Sequence, residues 1–197
     1  MKKTIGTILV VGAIVTAFAL GKAQAQEAGG DMEAMMKAWK DLGTPGPQHA
    51  ELKKMVGEWT AHMERTDPMT GQAIKEEGKC KYSMILNGLI LRQDFEGVMD
   101  GQKFKGVGFM AFNKGSGKYE SIWMDDMSSG IMYSAGDAPE KGKPVTFAGH
   151  WFGPDAAKVD QKTVMTNVDD DTHTLKMQMN MGGNALPPMT ITYKRVK

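Results

Sequence analysis

The chain has 197 residues, of which 41% are hydrophobic and 24% charged, and its 24 basic and 23 acidic residues give a net charge of +1. This length and apolar content are typical of one globular domain and exclude an intrinsically disordered chain. No long basic run is present, so the sequence does not indicate a nucleic-acid-binding surface or a polybasic membrane tail. The single cysteine, Cys80, excludes an intramolecular disulfide, and its alternating surroundings predict a small buried side chain.

The first 25 residues have the pattern of an export signal. Two lysines precede an apolar stretch at 5–20, and Ala23-Gln24-Ala25 fits the small-x-small cleavage pattern. The stretch is shorter than the roughly 20 apolar residues that a membrane-spanning helix needs. We therefore expect removal of residues 1–25, a mature chain that begins at Gln26, and a periplasmic or secreted protein without a stable membrane anchor.

Two short helices are predicted in the segment 26–56. Apolar residues recur at three- and four-residue spacing over 31–42, which is typical of an amphipathic helix, and Asp31 can cap its first turn. A stretch rich in Gly and Pro follows, and then a second helix is predicted at 47–56. One side of this second helix carries Leu52, Met55 and Val56.

From Gly57 onward the hydrophobic period changes to two, which is typical of strands with one buried face. Ten strands are predicted, at about 57–64, 74–84, 89–98, 103–112, 118–125, 131–135, 145–152, 159–168, 173–181 and 189–196. The pairs Asn87-Gly88 and Asp100-Gly101 predict two type I′ hairpin turns, because these residues tolerate positive φ.

No helix-length segment separates these strands, which excludes parallel βαβ units. Successive hairpins with one apolar face predict an all-β fold, in which residues 57–197 form an antiparallel up-and-down β-barrel of about ten strands. A two-sheet sandwich is the alternative.

Several motifs carry a family resemblance. They are Thr44-Pro45-Gly46-Pro47-Gln48-His49, Gly57-Glu58-Trp59, Met84-Ile85-Leu86-Asn87-Gly88, Phe104-Lys105-Gly106-Val107-Gly108 and Asp171-Thr172-His173. In their order and spacing they resemble the bacterial family known as domain of unknown function 1579, over about 35–195. The resemblance implies a calycin-like barrel, related at the level of the fold to lipocalins, fatty-acid-binding proteins and nitrobindin-type haem barrels. It implies no catalytic residue, because the family has no established activity.

The sequence contains no zinc-protease, serine-hydrolase, paired-cysteine or complete phosphate-loop motif. Adjacent acidic residues occur at Asp125-Asp126 and at 169–171. Neighbouring residues on a strand point to opposite faces, so these carboxylates are not placed to act as a catalytic pair. We therefore predict neither an enzyme nor a cofactor.

The inward-facing strand positions would line a ligand cavity. They are Trp59, Met63, Tyr82, Phe95, Met110, Trp123, Tyr133, Trp151, Met177, Met179 and Tyr193, with Gln93 and Ser121 as polar groups that orient a ligand. Such a lining favours a small apolar or aromatic molecule, which we expect near Trp123 and Trp151. In the alternative interpretation the same residues fill the barrel as a packed core, and the protein has a structural or interaction role.

The sequence contains 18 methionines, and Met177, Met179 and Met181 share a strand face with His173. Soft thioethers suit Cu(I), whereas flexible methionines also serve as core packing. Alternate residues of a strand lie about 6.6 Å apart at Cα, so we expect no tight copper site. By resemblance to the nitrobindin-type barrels, His173 is also a candidate haem ligand, and the alternative for it is a hydrogen-bonded structural histidine.

Overall fold

The computed structural model describes residues 25–140 and 142–197, which divide into one unit ending at Asp41 and a second from Leu42 to Lys197. The helices in this part of the chain are α1 (Ala25–Leu42) and α2 (Pro47–Lys53). The strands are β1 (Gly57–Thr66), β2 (Ala73–Ile85), β3 (Ile90–Met99), β4 (Gln102–Asn113), β5 (Lys118–Asp125), β6 (Met132–Asp137), β7 (Val145–Phe152), β8 (Lys158–Asp169), β9 (Thr172–Met181), β10 (Asn184–Ala185) and β11 (Met189–Arg195).

Helix α1 begins earlier than the sequence pattern predicts. Asp31 lies inside the helix and therefore does not cap it. The apolar stripe that carries Met36 and Trp39 is exposed. Among the described residues, no helix combines the length and hydrophobicity that a membrane crossing requires. The predicted export signal lies outside the described residues, apart from Ala25.

Helix α2 ends at Lys53, three residues before the predicted end at Val56. Leu52 and Met55 are buried, whereas Val56, which the sequence pattern places on the same side of the helix, is 39% exposed. The chain has already left the helix at this point and turns into β1 through Gly57 at φ +137°.

The strands form a closed ring. Each of β1 to β9 pairs antiparallel with the next, β9 also pairs with β11, and β11 pairs with β1. The short β10 pairs only with the end of β9. The predicted up-and-down barrel of ten strands is therefore confirmed, and the sandwich is excluded. Closure leaves none of the ten strands with an unpaired edge.

Alternate strand residues point into the barrel, as the period of two predicts. Trp59, Ala61 and Met63 of β1 are buried, and Trp59 is the cross-strand partner of buried Cys80. Burial raises the pKa of the Cys80 thiol to about 12. Methionines supply much of the interior: Met55, Met63 and Met165 are buried, and Met84, Met99, Met110, Met177 and Met189 pack against the core.

The two predicted hairpin turns differ in the length of the connection. Asp100 and Gly101 form a two-residue turn with φ of 53° and 74°, as predicted. Asn87 and Gly88 also take the positive φ values of a type I′ turn, 57° and 84°, and the Leu89 amide donates a hydrogen bond of 3.2 Å to the Leu86 carbonyl. This connection is longer than a two-residue hairpin loop, because Ile85 and Ile90 are the last cross-strand partners and leave four residues between them. Leu86, Asn87 and Gly88 all take positive φ in this connection.

Strands β6 and β7 approach so closely that inward glycines are required. A Cβ at Gly149 would overlap the carbonyl oxygen of Tyr133. We expect Gly149→Ala to lower the free energy of unfolding by about 2 kcal/mol or more, because backbone must move to admit the methyl group. Urea denaturation measures the change. Gly130→Ala is the control, since its added Cβ meets nothing within 4 Å, and equal stability of the two variants would contradict the prediction.

Candidate functional site

A cleft of about 450 Å³ opens at the end of the barrel where α2 lies. Its lining comes from α2 and the segment leading to β1, from the connection between β6 and β7, and from the turn between β8 and β9. These residues are Pro47, Gln48, Glu51, Leu52, Lys54, Met55, Trp59, Tyr119, Ala138, Pro139, Glu140, Gly142, Lys143, Val145, Met165, Asn167, Asp169, Asp170, His173 and Arg195. The volume lies within the usual range of small-molecule sites.

The buried part of this lining, which we call the floor, is mainly apolar. It consists of Leu52, Met55, Trp59, Tyr119, Val145, Met165 and His173, each less than 9% exposed. The indole Nε1 of Trp59 donates a hydrogen bond of 2.8 Å to the carbonyl of Met55, which ties α2's end to the first strand. A surface of this composition favours an apolar or aromatic molecule.

His173 is the histidine of the floor. Its ring stacks on Tyr193 at 4.4 Å between centroids and meets Trp59 edge-on at 4.6 Å. Nε2 lies 3.3 Å from the hydroxyl of Tyr82, and buried Nδ1 has no hydrogen-bond partner among the described residues. Burial, with the nearby charge of Arg195, lowers the pKa of His173 to about 4. The imidazole is therefore neutral at neutral pH.

The contact between His173 and Tyr82 continues into the barrel. Tyr82 and Tyr193 are fully enclosed, and burial raises the pKa of both phenols well above the ordinary value. Gln93 Nε2 donates a hydrogen bond of 3.2 Å to the Tyr193 hydroxyl. An uncharged polar chain thus leads from the cleft floor to the centre of the barrel.

Arg195 holds three segments at the cleft together. Its guanidinium donates hydrogen bonds of 2.7 Å to the carbonyls of Val56 and Lys54, and further ones to the carbonyl of Asp170. It also pairs with Asp171 at 3.2 Å and lies 4.2 Å from the centre of the Trp59 ring. The end of β11 is in this way fixed to the start of β1 and to the β8–β9 turn.

A second, smaller cavity lies inside the barrel. It measures about 30 Å³ and is lined by Tyr82, Leu91, Gln93, Gly108, Phe109, Met110, Ser121, Ile122 and Trp123. Five of the predicted ligand-binding residues, Tyr82, Gln93, Met110, Ser121 and Trp123, therefore meet at one place. In this conformation the space suits a water-sized molecule.

The other predicted site residues lie elsewhere. Trp59 is in the cleft floor, and Met63, Phe95 and Tyr193 are buried core residues. Trp151, Met177 and Met179 occupy inward register positions on β7 and β9. Their predicted contact with a ligand stays a prediction.

The predicted inward direction of Tyr133 is wrong. Its side chain is 51% exposed, and its cross-strand partners are Ile122 and His150. The neighbouring Ser134 takes the inward position instead, opposite Ser121 and Gly149. His150, which alternates with Trp151 along β7, is exposed.

The proposed metal-ligand face runs the full length of β9. Met177, Met179 and Met181 share the inward face with His173, as predicted, but His173 lies at the cleft end and Met181 at the opposite end of the strand. In the described part of the chain, no group of three or more His, Cys, Asp or Glu side chains is placed to hold a metal ion. His173 is a buried histidine in contact with Tyr82, which agrees with the structural interpretation. Copper and haem binding stay untested.

Most of the cleft was not predicted. Leu52 and Met55 were predicted only to share one side of the second helix, and the loop at 138–143 carries no motif. The sequence does indicate the position of Arg195. It lies two residues after inward Tyr193, so it shares the inward face at the end of the last strand, which places a cation at the barrel mouth.

Comparisons with known proteins agree with the observed fold. Rv2717c from M. tuberculosis matches with a TM-score of 0.57 and 15% identity, over 78% of this chain and 100% of that chain. The S-type phycobiliprotein lyase CPES from Guillardia theta matches with a TM-score of 0.52 and 14% identity, over 80% of this chain and 97% of that chain. No curated protein matches. At such identities these likenesses show the fold alone.

The family comparison covers most of the chain. The family described as "Protein of unknown function (DUF1579)" matches residues 44–195, a range that begins just before α2 and ends at Arg195. It includes the strands of the barrel and the cleft lining. The domain is a closed antiparallel β-barrel, and the chain belongs to this family.

Proposed function

We propose that the protein binds a small, mainly apolar or aromatic molecule in the cleft at the α2 end of the barrel. The observation that carries the proposal is the combination of an open volume of about 450 Å³ with a buried apolar floor. Burial of about 500 Å² of apolar ligand surface contributes roughly 12 kcal/mol at about 25 cal/mol per Å², which leaves about 8 kcal/mol, or micromolar affinity, after an association cost of about 4 kcal/mol.

The proposal moves the ligand away from the interior position predicted near Trp123 and Trp151. The cavity beside Trp123 has a volume of only about 30 Å³, less than a tenth of the cleft volume. A medium-sized ligand would have to displace packed core side chains there, whereas the cleft is already formed.

The proposed role is binding and not catalysis. His173 contacts aromatic rings and one tyrosine hydroxyl, and its charged neighbour is a cation. General acid–base catalysis requires a titrating group matched to the working pH, which a histidine with a pKa of about 4 does not supply.

A binding experiment with two matched variants tests the proposal. Asn167 is exposed, lines the cleft and is the cross-strand partner of His173, so Asn167→Trp would place a large ring over the floor. Adjacent Val168 is 59% exposed and does not line the cleft, so Val168→Trp is the control. The probe is a dansyl-labelled fatty acid, followed by its fluorescence.

We expect saturable micromolar binding to the wild type and to Val168→Trp, and at least a tenfold weaker affinity for Asn167→Trp. Far-ultraviolet circular dichroism checks that all three proteins are folded. Equal affinity of the three proteins, or binding only in partly denaturing urea, would contradict the proposed cleft site.

The proposal includes export of the protein, so that it binds its ligand in the periplasm or outside the cell. The support is the Ala23-Gln24-Ala25 pattern. N-terminal sequencing of the protein from its own host should give Gln26 as the first residue. A chain that retains Met1 would contradict the proposed export.

A further inference from the structure

The hydrogen bonds inside the barrel have a direction. The side-chain nitrogen of Gln93 is a donor only, so the oxygen of Tyr193 accepts this bond. The hydrogen of Tyr193 must then point to another acceptor. The hydroxyl of Tyr82 is hydrogen-bonded to Tyr193 and is the next group along this hydrogen-bond network toward the cleft.

Because Tyr193 accepts from Gln93 and directs its own hydrogen to the Tyr82 oxygen, the single hydrogen of Tyr82 has two remaining candidate acceptors, His173 Nε2 and the thiol sulfur of Cys80. A neutral imidazole nitrogen is a good acceptor, whereas a thiol sulfur is a weak one. Tyr82 therefore donates to Nε2. A neutral imidazole with Nε2 as acceptor carries its proton on Nδ1.

The resulting Nδ1–H group is buried in the cleft floor. His173 is 2% exposed, and its Nδ1 has no partner among the described residues. A buried donor without a partner is unfavourable, and an acceptor that reaches it gains a well-oriented hydrogen bond. The neighbouring donors of Arg195 are directed to backbone carbonyls and to Asp171.

We propose that the ligand of the cleft carries a hydrogen-bond acceptor, such as a carbonyl, ether or carboxylate oxygen, at its inner end, and that His173 Nδ1–H donates to it. The inference rests on the proposed function and adds the chemical class of the ligand. It differs from the haem hypothesis, because both nitrogens are engaged: Nε2 accepts from Tyr82, and a protonated Nδ1 has no lone pair for a metal.

The first test needs no ligand. The nitrogen chemical shifts of His173 in the folded wild-type protein report which ring nitrogen carries the proton. We expect the Nδ1–H form at pH 7, and a shift toward the other tautomer in Tyr82→Phe, which removes the donor to Nε2. A wild-type protein in the Nε2–H form would overturn the inference.

The second test compares two probes of the same shape, acetylnaphthalene and isopropenylnaphthalene, attached at the same ring position. Only the first has an acceptor oxygen. Calorimetry should show that the wild type prefers acetylnaphthalene about three- to tenfold, the range expected for one net hydrogen bond. His173→Phe retains a ring at this position but has no donor, so this variant should bind the two probes with equal affinity.

The outcomes separate this inference from the proposed function. If both probes bind, are blocked by Asn167→Trp and show equal affinity, the acceptor requirement is wrong and the cleft site stands. A preference that persists in His173→Phe likewise assigns the acceptor contact to another residue and overturns the inference. If neither probe binds, the proposed cleft function fails and the inference fails with it.

Discussion

Replacement of Arg195 by lysine is expected to lower the free energy of unfolding by about 2–4 kcal/mol, although the charge is kept. The guanidinium donates to carbonyls of two segments, pairs with Asp171 and covers the Trp59 ring. Lysine has one compact ammonium and cannot make these contacts together, and hydrogen bonds to charged groups contribute roughly 1.5–3 kcal/mol each when partly buried. The arginine side chain is 24% exposed, so its contacts are only partly screened by solvent.

Arg92→Lys provides the matched control for this measurement by urea denaturation. Arg92 makes an ion pair of 2.7 Å with Asp94, and both side chains are more than 40% exposed. Exposed pairs of this kind contribute little, so we expect a change of less than about 0.5 kcal/mol. A similar decrease in the free energy of unfolding of both variants would show that Arg195 does not fix the cleft segments.

Acid is expected to destabilise the fold through His173. The pKa of His173 falls from the ordinary value of 6.5 to about 4, first because of burial and then because of Arg195. Since the unfolded chain binds this proton at higher pH than the folded chain, the stability is intact above pH 6.5 and is lost progressively as the pH falls toward 4. Between pH 7 and pH 4.5 the loss from this residue is about 2 kcal/mol.

The charge environment of His173 supports this direction of change. Tyr82 and Tyr193 remain neutral at these pH values because their pKa values are raised, and Asn167 is uncharged. The nearby charged group that acts on the ring is the cation of Arg195, which opposes protonation. His49 adds to the effect, since burial lowers its pKa too and its Nδ1 accepts a hydrogen bond from the Gly46 amide.

His173→Phe should remove about 2 kcal/mol of the stability difference between pH 7 and pH 4.5, measured from urea midpoints at the two pH values. The exposed His150 makes His150→Gln a suitable control, which should keep the wild-type pH dependence. If His173→Phe retains the full pH dependence, His173 is not held in the neutral form.

The architecture of the barrel was predictable because its determinants are local. Alternation such as Trp59, Ala61 and Met63 assigns one face of each strand, and glycine-containing turns separate the strands. Ring closure between β11 and β1 then follows from the need to pair the edges.

Strand β6 shows where local alternation fails. In the predicted strand 131–135, the apolar residues Ile131, Tyr133 and Ala135 share one parity, and Tyr133 was predicted to face inward. The inward residues are instead Ser134 and Gly136, which are small because β6 and β7 approach so closely. This close approach is a tertiary feature, so the residue types of β6 alone do not reveal it.

The cleft was not predictable for a related reason. Its lining joins residues distant in sequence, such as Lys54, Asp170 and Arg195, whose contacts depend on the closed ring. His173 and Trp59 were predicted to face inward. Their distance from the open end of the barrel, however, depends on strand register and on the position of α2.

The proposed cleft site is tested most directly by the four tryptophan indole signals in a nitrogen–proton NMR spectrum, recorded as the dansyl-labelled fatty acid is added. Trp59 lies in the cleft floor, Trp123 lines the interior cavity, Trp151 lies on the inward face of β7, and Trp39 is in α1. We predict that the Trp59 signal shifts with saturation while those of Trp123 and Trp151 stay in place. Saturable shifts of Trp123 and Trp151 with an unchanged Trp59 signal would place the ligand inside the barrel and contradict the cleft site.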